Sequence, residues 1–99
     1  MPMNKKYYAV KLIPCRPTFA QDMTPEEREI MKDHSTYWRG MMAKGAVLVF
    51  GPVLDPAGVY GLGIIIAENE KQVQAFMADD PATQINNYEF YQMLAVVKE

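Results

Sequence analysis

The sequence holds a single cysteine and a single histidine among its 99 residues, and both scarcities exclude chemistry. Cys15 has no partner for an internal disulfide, which agrees with a reducing compartment. It also has no nearby histidine in sequence, so it is read as a bystander. His34 lacks a Cys or Glu at ligand spacing, so no zinc site is expected, and haem ligation by one imidazole has no other support. Long hydrophobic runs are missing too. The longest apolar stretches, such as residues 46–50, fall far short of the roughly 18 needed to cross a bilayer, and no membrane span is expected. Charge of either sign is not in excess: ten Lys+Arg stand against twelve Asp+Glu, for a net charge of −2. No cationic field exists to draw in nucleic acid or an anionic membrane surface. There is no internal repeat, low-complexity segment or long linker, and the length leaves room for one domain, over residues 1–99. Residues 1–6 carry two lysines but no small-residue cleavage site before a strand pattern begins, so no secretory signal is read and a cytoplasmic location is expected.

What the chain does have is enough apolar material to form a core: 49% of residues are hydrophobic and 22% charged. Residues 7–13 alternate, with Tyr8, Val10 and Leu12 on one face and Tyr7, Ala9 and Lys11 on the other, a strand bounded by Pro14 and Pro17. Thr24-Pro25-Glu26-Glu27 sets a hydroxyl cap, a proline at the first helical position and a glutamate at the third. A helix over 25–44 follows, with Ile30, Met31, Trp38, Met41 and Met42 at three- and four-residue steps and Gly45 as its stop. Residues 46–50 and 59–67 read as a hairpin across the turn chemistry of Asp55-Pro56-Ala57-Gly58. Asn69 with Gln72 caps a short second helix whose apolar face is Val73, Phe76 and Met77. A last strand is placed at 89–97. The segment 14–23 is read as a plain surface loop in preference to a flap over a site.

Strand, helix, strand, strand, helix, strand with right-handed crossovers gives an α+β fold. It is a ferredoxin-like βαββαβ sandwich, a four-stranded antiparallel sheet with two helices on one face. The third strand, with Ile64, Ile65 and Ile66, and the fourth are apolar on both sides, and two helices cover only one. A second copy is the simplest cover for the other face, so a homodimer packed sheet to sheet is expected.

The helical spacing of His34 to Met31 and Trp38 puts the imidazole on the stripe facing the sheet. Two readings remain open: a core histidine bonded to a backbone carbonyl, or an acid/base group tuned by a carboxylate. Asp80-Pro81 is the candidate partner. Capping of the following turn accounts for it as well, and a His34–Asp80 pairing is sterically possible. Gly58, Gly61 and Gly63 do not lie between a strand and a helix, so they form no phosphate loop; they are read as letting a bulky neighbour or ligand approach the sheet. The eight methionines are read as core filler before pocket lining.

His34 with Tyr37 and Trp38 and the spacing to Gly45, then Phe50-Gly51-Pro52 and Asp79-Asp80-Pro81 in that order, resembles the YciI-like (YCII-related) family over residues 7–97. The resemblance implies a dimeric α/β barrel of ferredoxin-like subunits, each with a His–Asp pair lining a pocket. A characterised member is a dehydrochlorinase of a chlorinated hydroxyquinol, and related barrels include cofactor-free isomerases and monooxygenases of small aromatic compounds. No cofactor is therefore expected. The chain departs from the family at Gly61-Leu62-Gly63, where members often carry a serine after the first glycine. With the resemblance, His34 is expected to be the general acid/base and Asp80 the group that fixes its tautomer. Tyr7, Trp38 and Phe50 are expected as apolar walls, and Gly51-Pro52 at the pocket mouth. The expected activity is elimination or isomerisation of a small aromatic or lactone-like molecule. The rivals are a non-catalytic module that binds or senses a small ligand, and a dimerisation domain with no ligand.

Overall fold

Alternation of side chains builds the first strand, β1, at Lys6–Ile13, in a computed structural model that describes residues 5–98. Residues 1–4, most of the stretch searched for a secretory signal, lie outside the described residues, as does residue 99. After β1 comes a one-turn helix, α1, at Phe19–Asp22, then the long helix α2 at Pro25–Ala43. α2 starts on the expected capping box: the Glu27 N–H donates to Thr24 Oγ1 at 3.1 Å, and the Thr24 N–H donates to Glu27 Oε1 at 2.9 Å. It ends where Gly45 takes a φ of 85°, a left-handed conformation that favours glycine.

The hairpin strands are β2, Val47–Val53, and β3, Tyr60–Ala67. In the connection between them Asp55 Oδ1 accepts from the Ala57 N–H at 2.9 Å, an aspartate-stabilised turn. Helix α3, Glu70–Ala78, is capped by Asn69, whose Oδ1 accepts from the Gln72 N–H at 3.0 Å. A 3₁₀ turn at Pro81–Gln84 leads into β4, Asn87–Met93.

The four strands form one antiparallel sheet in the order β2-β3-β1-β4, compatible with a ferredoxin-like arrangement. Tyr8, Val10, Ile65 and Ala67 from the central strands meet Trp38 of α2 and Val73 and Phe76 of α3 in one core, so both longer helices cover the same sheet face. Large side chains buried this way stabilise the fold by about 1.5–3 kcal/mol each. Among the described residues no helix is long and apolar enough to cross a membrane.

Three expectations need correction. The segment 14–23 is not a plain surface loop: it folds into α1, and Phe19 is only 4% exposed. β2 runs on through Gly51-Pro52 to Val53 instead of stopping at 50; it is an edge strand, where proline's missing N–H costs the sheet nothing on the open side. The last strand covers Asn87–Met93 and not 89–97: among the described residues its partner is β1, which begins at Lys6 and pairs Tyr7 with Met93. Leu94 and Val96, beyond that ladder, are 90% and 98% exposed.

Candidate functional site

Three elements converge at one end of the core. α2 contributes His34 and, one turn later, Trp38; Asp80 sits between α3 and the 3₁₀ turn; β4 contributes Tyr88. Asp80 performs both of the tasks open to it. Its Oδ1 accepts from the Ala82 N–H at 2.9 Å and so starts the 3₁₀ turn, while Nδ1 of His34 lies 2.9 Å from both carboxylate oxygens. The indole Nε1–H of Trp38 donates to Asp80 Oδ2 at 2.5 Å, and the Tyr88 hydroxyl donates to the same oxygen.

The Asp80 side chain is 0% exposed. Burial alone would push its carboxyl up, but hydrogen bonds from His34, Tyr88, the Ala82 backbone and Trp38 outweigh it, and the group is held below the ordinary aspartate value. The carboxylate therefore carries no proton near neutrality, so the proton shared with His34 sits on Nδ1. A neutral ring then has its lone pair on Nε2, which has no partner among the described residues. Tyr88 is tuned in the opposite direction: burial first, and then the Asp80 charge, raises its phenol well above the ordinary tyrosine value and keeps it a donor.

The Trp38 ring is set by packing as well as by its hydrogen bond. It meets Phe76 edge-on at 4.8 Å and Phe50 at 5.4 Å between centroids. Beneath it lies Gly63 of β3, where an added Cβ would stand 2.3 Å from Trp38 Cζ3. This bare backbone lets the indole sink onto the sheet far enough for its N–H to reach Asp80.

On the open side of His34 is a cavity of about 250 Å³, with Trp38, Phe50, Gly51 and Pro52 in its wall. Those four expected residues and His34 are thus brought together, with Asp80 behind the imidazole. Tyr7 is not with them. It alternates with the inward-facing Tyr8 and Val10 and so lies on the other surface of the sheet. Sequence reasoning missed Tyr88, although its period-two spacing to Phe90 marks it as inward once the strand is begun early enough. It also missed Phe19, Met23 and Ser35, all of which line the cavity. An aromatic within a proline-bounded loop was the available sign of Phe19.

Arg16 holds the α1 segment in place. Its guanidinium donates to Glu27 Oε1 and Oε2 at 2.8 and 2.9 Å and to Asp22 Oδ1 at 2.8 Å, and lies over the Phe19 ring at 5.3 Å. The Arg16 contacts hold the Glu27 carboxyl down at about 2. No three His, Cys, Asp or Glu side chains gather as metal ligands among the described residues.

Fold and site together define a small α+β protein in which an apolar cavity meets an imidazole backed by a buried carboxylate. A family model described as the YCII-related domain matches residues 9–96. The chain belongs to the YCII-related family. A search of curated proteins gives no match.

Proposed function

We propose that this protein is a cytoplasmic, cofactor-free enzyme that moves a proton during elimination or isomerisation of a small aromatic or lactone-like substrate. His34 is the general acid/base, through Nε2. Asp80 accepts from Nδ1, fixes the tautomer and stabilises the imidazolium formed when Nε2 takes the proton. The observation that carries this reading is a fully buried carboxylate 2.9 Å from Nδ1, behind a histidine that is 14% exposed and borders a cavity. A histidine kept only for the core needs a hydrogen-bond acceptor, which the carboxylate supplies, but has no use for the opening. The active unit is a homodimer closed into an α/β barrel, a reading supported by the apolar sheet surface that no helix covers among the described residues.

The test is a screen of halogenated hydroxyaromatics and unsaturated lactones for loss of HX or double-bond migration. Replacing His34 by Ala is expected to lower turnover by about 10²- to 10⁴-fold, the usual contribution of a positioned acid/base, with ligand affinity nearly unchanged. Ligand binding with no turnover by the unaltered protein would favour a sensing module, for which an almost wholly apolar cavity is equally suited.

A further inference from the structure

α2 presents two consecutive residues to the cavity, His34 and Ser35. A serine hydroxyl within a helix commonly bonds back to the carbonyl four residues earlier. Thr36 does so, donating to the Lys32 carbonyl at 3.1 Å. Ser35 lines the cavity instead, and its hydroxyl enters none of the side-chain hydrogen bonds among the described residues. Of the other polar side chains around the cavity, the Tyr88 hydroxyl and the Trp38 indole N–H donate to Asp80. Tyr60 alternates with the inward-facing Gly61 and Gly63 and so carries its ring to the other surface of the sheet, where Lys11 Nζ stands 4.5 Å over it.

Among the described residues no Lys, Arg, Asp or Glu lines the cavity, and the charge behind His34 is the Asp80 carboxylate. An anion entering there would shed its hydration shell without meeting a fixed cation, beside a buried negative group. The volume, about 250 Å³, exceeds the 150 Å³ or so that holds benzene in an apolar protein cavity, so one substituted ring fits.

We propose that Ser35 is the specificity-determining residue that binds the polar group of an uncharged, ring-sized substrate and holds it beside the His34 imidazole. The assignment rests on the catalytic reading of the same cavity. Ser35 is not needed by the fold, since alanine is the better helix former at an interior position.

The test is a titration of the full chain with phenol, benzene and benzoate, followed by amide and side-chain NMR shifts, for the unaltered protein and for Ser35→Ala, Ser35→Thr and His34→Ala. Phenol is expected to shift cavity residues, with benzoate at least tenfold weaker. Ser35→Ala should weaken phenol by about two- to tenfold, the worth of one neutral hydrogen bond, and leave benzene within twofold. Ser35→Thr should restore phenol affinity, and the melting temperature of Ser35→Ala should equal or exceed that of the unaltered protein. Absence of phenol binding, equal binding of benzoate, or a parallel loss of phenol and benzene in Ser35→Ala would overturn the proposal. The two readings fail separately. A phenol preference that depends on Ser35, in a protein with no turnover, sinks only the catalytic reading; turnover that needs His34 but is indifferent to Ser35 sinks only this one.

Discussion

Asp80 is the residue on which the site turns, because one buried carboxylate accepts from His34, Trp38, Tyr88 and the Ala82 backbone. Asp80→Ala leaves those donors without their acceptor and is expected to cost about 3–5 kcal/mol, read by urea unfolding. Its titration gives a second expectation. The unfolded chain protonates this carboxyl near pH ~3.9, whereas the folded protein does so at lower pH. Between those two values the unfolded state binds more protons, so the stability contributed by Asp80 is full above that window and is lost as pH falls through it. Unfolding curves from pH 6 to 2.5 should fall less steeply for Asp80→Asn, with residual slope from Glu27 and Asp22, whose carboxyls are also depressed. Gly63 matters for a steric reason. A methyl there meets the Trp38 ring at 2.3 and 2.8 Å, so Gly63→Ala should destabilise by about 1–3 kcal/mol and shift the tryptophan emission.

At the level of elements, α1 is the piece that cannot stand by itself. Four residues fall far below the roughly 12–15 at which an isolated helix is even marginal, so it is held by tertiary contacts. Those contacts are the burial of Phe19 and the fork of Arg16 to Glu27 and Asp22. Arg16→Gln should leave the global unfolding midpoint nearly unchanged, as for most surface ion pairs, yet speed amide exchange in residues 18–23. Unchanged exchange in that segment would mean that Phe19 alone fastens it. The long helix shows the opposite balance: its capping box, first-turn proline and glycine stop are all local, and its ends were legible from the sequence to within a residue.

For the molecule as a whole, the two sheet faces have unequal cover. The helices bury one, while the other presents Tyr7, Ala9, Leu62, Ile64 and Ile66 from the central strands and Tyr91 and Met93 from β4. Lys11 and Glu89, opposite each other in the β1–β4 register, are the charged pair on that surface. A patch of this kind is expected to be closed by a second copy. Light scattering at micromolar concentration should return twice the chain mass, and Ile64→Lys should return the single-chain mass. A monomer before substitution would remove the dimer from the proposed function.

Local chemistry determined the four strands, the two longer helices and their order. Capping residues, turn residues and the two periodicities act over a few positions, so they can be read from neighbours in the chain, and short connections then leave few ways to stack the pieces. Periodicity also assigned His34 and Trp38 to the sheet-facing side of α2, because it reports which way a side chain points. It does not report how far along the sheet two elements meet. Tertiary packing alone decided that Asp80, 46 residues away, lies behind Nδ1 of His34, that Tyr88 and Trp38 donate to it too, and that Tyr7 lies across the sheet from the cavity. That depth is set where the Trp38 indole settles on Gly63, a contact between α2 and β3 that neither segment encodes by itself.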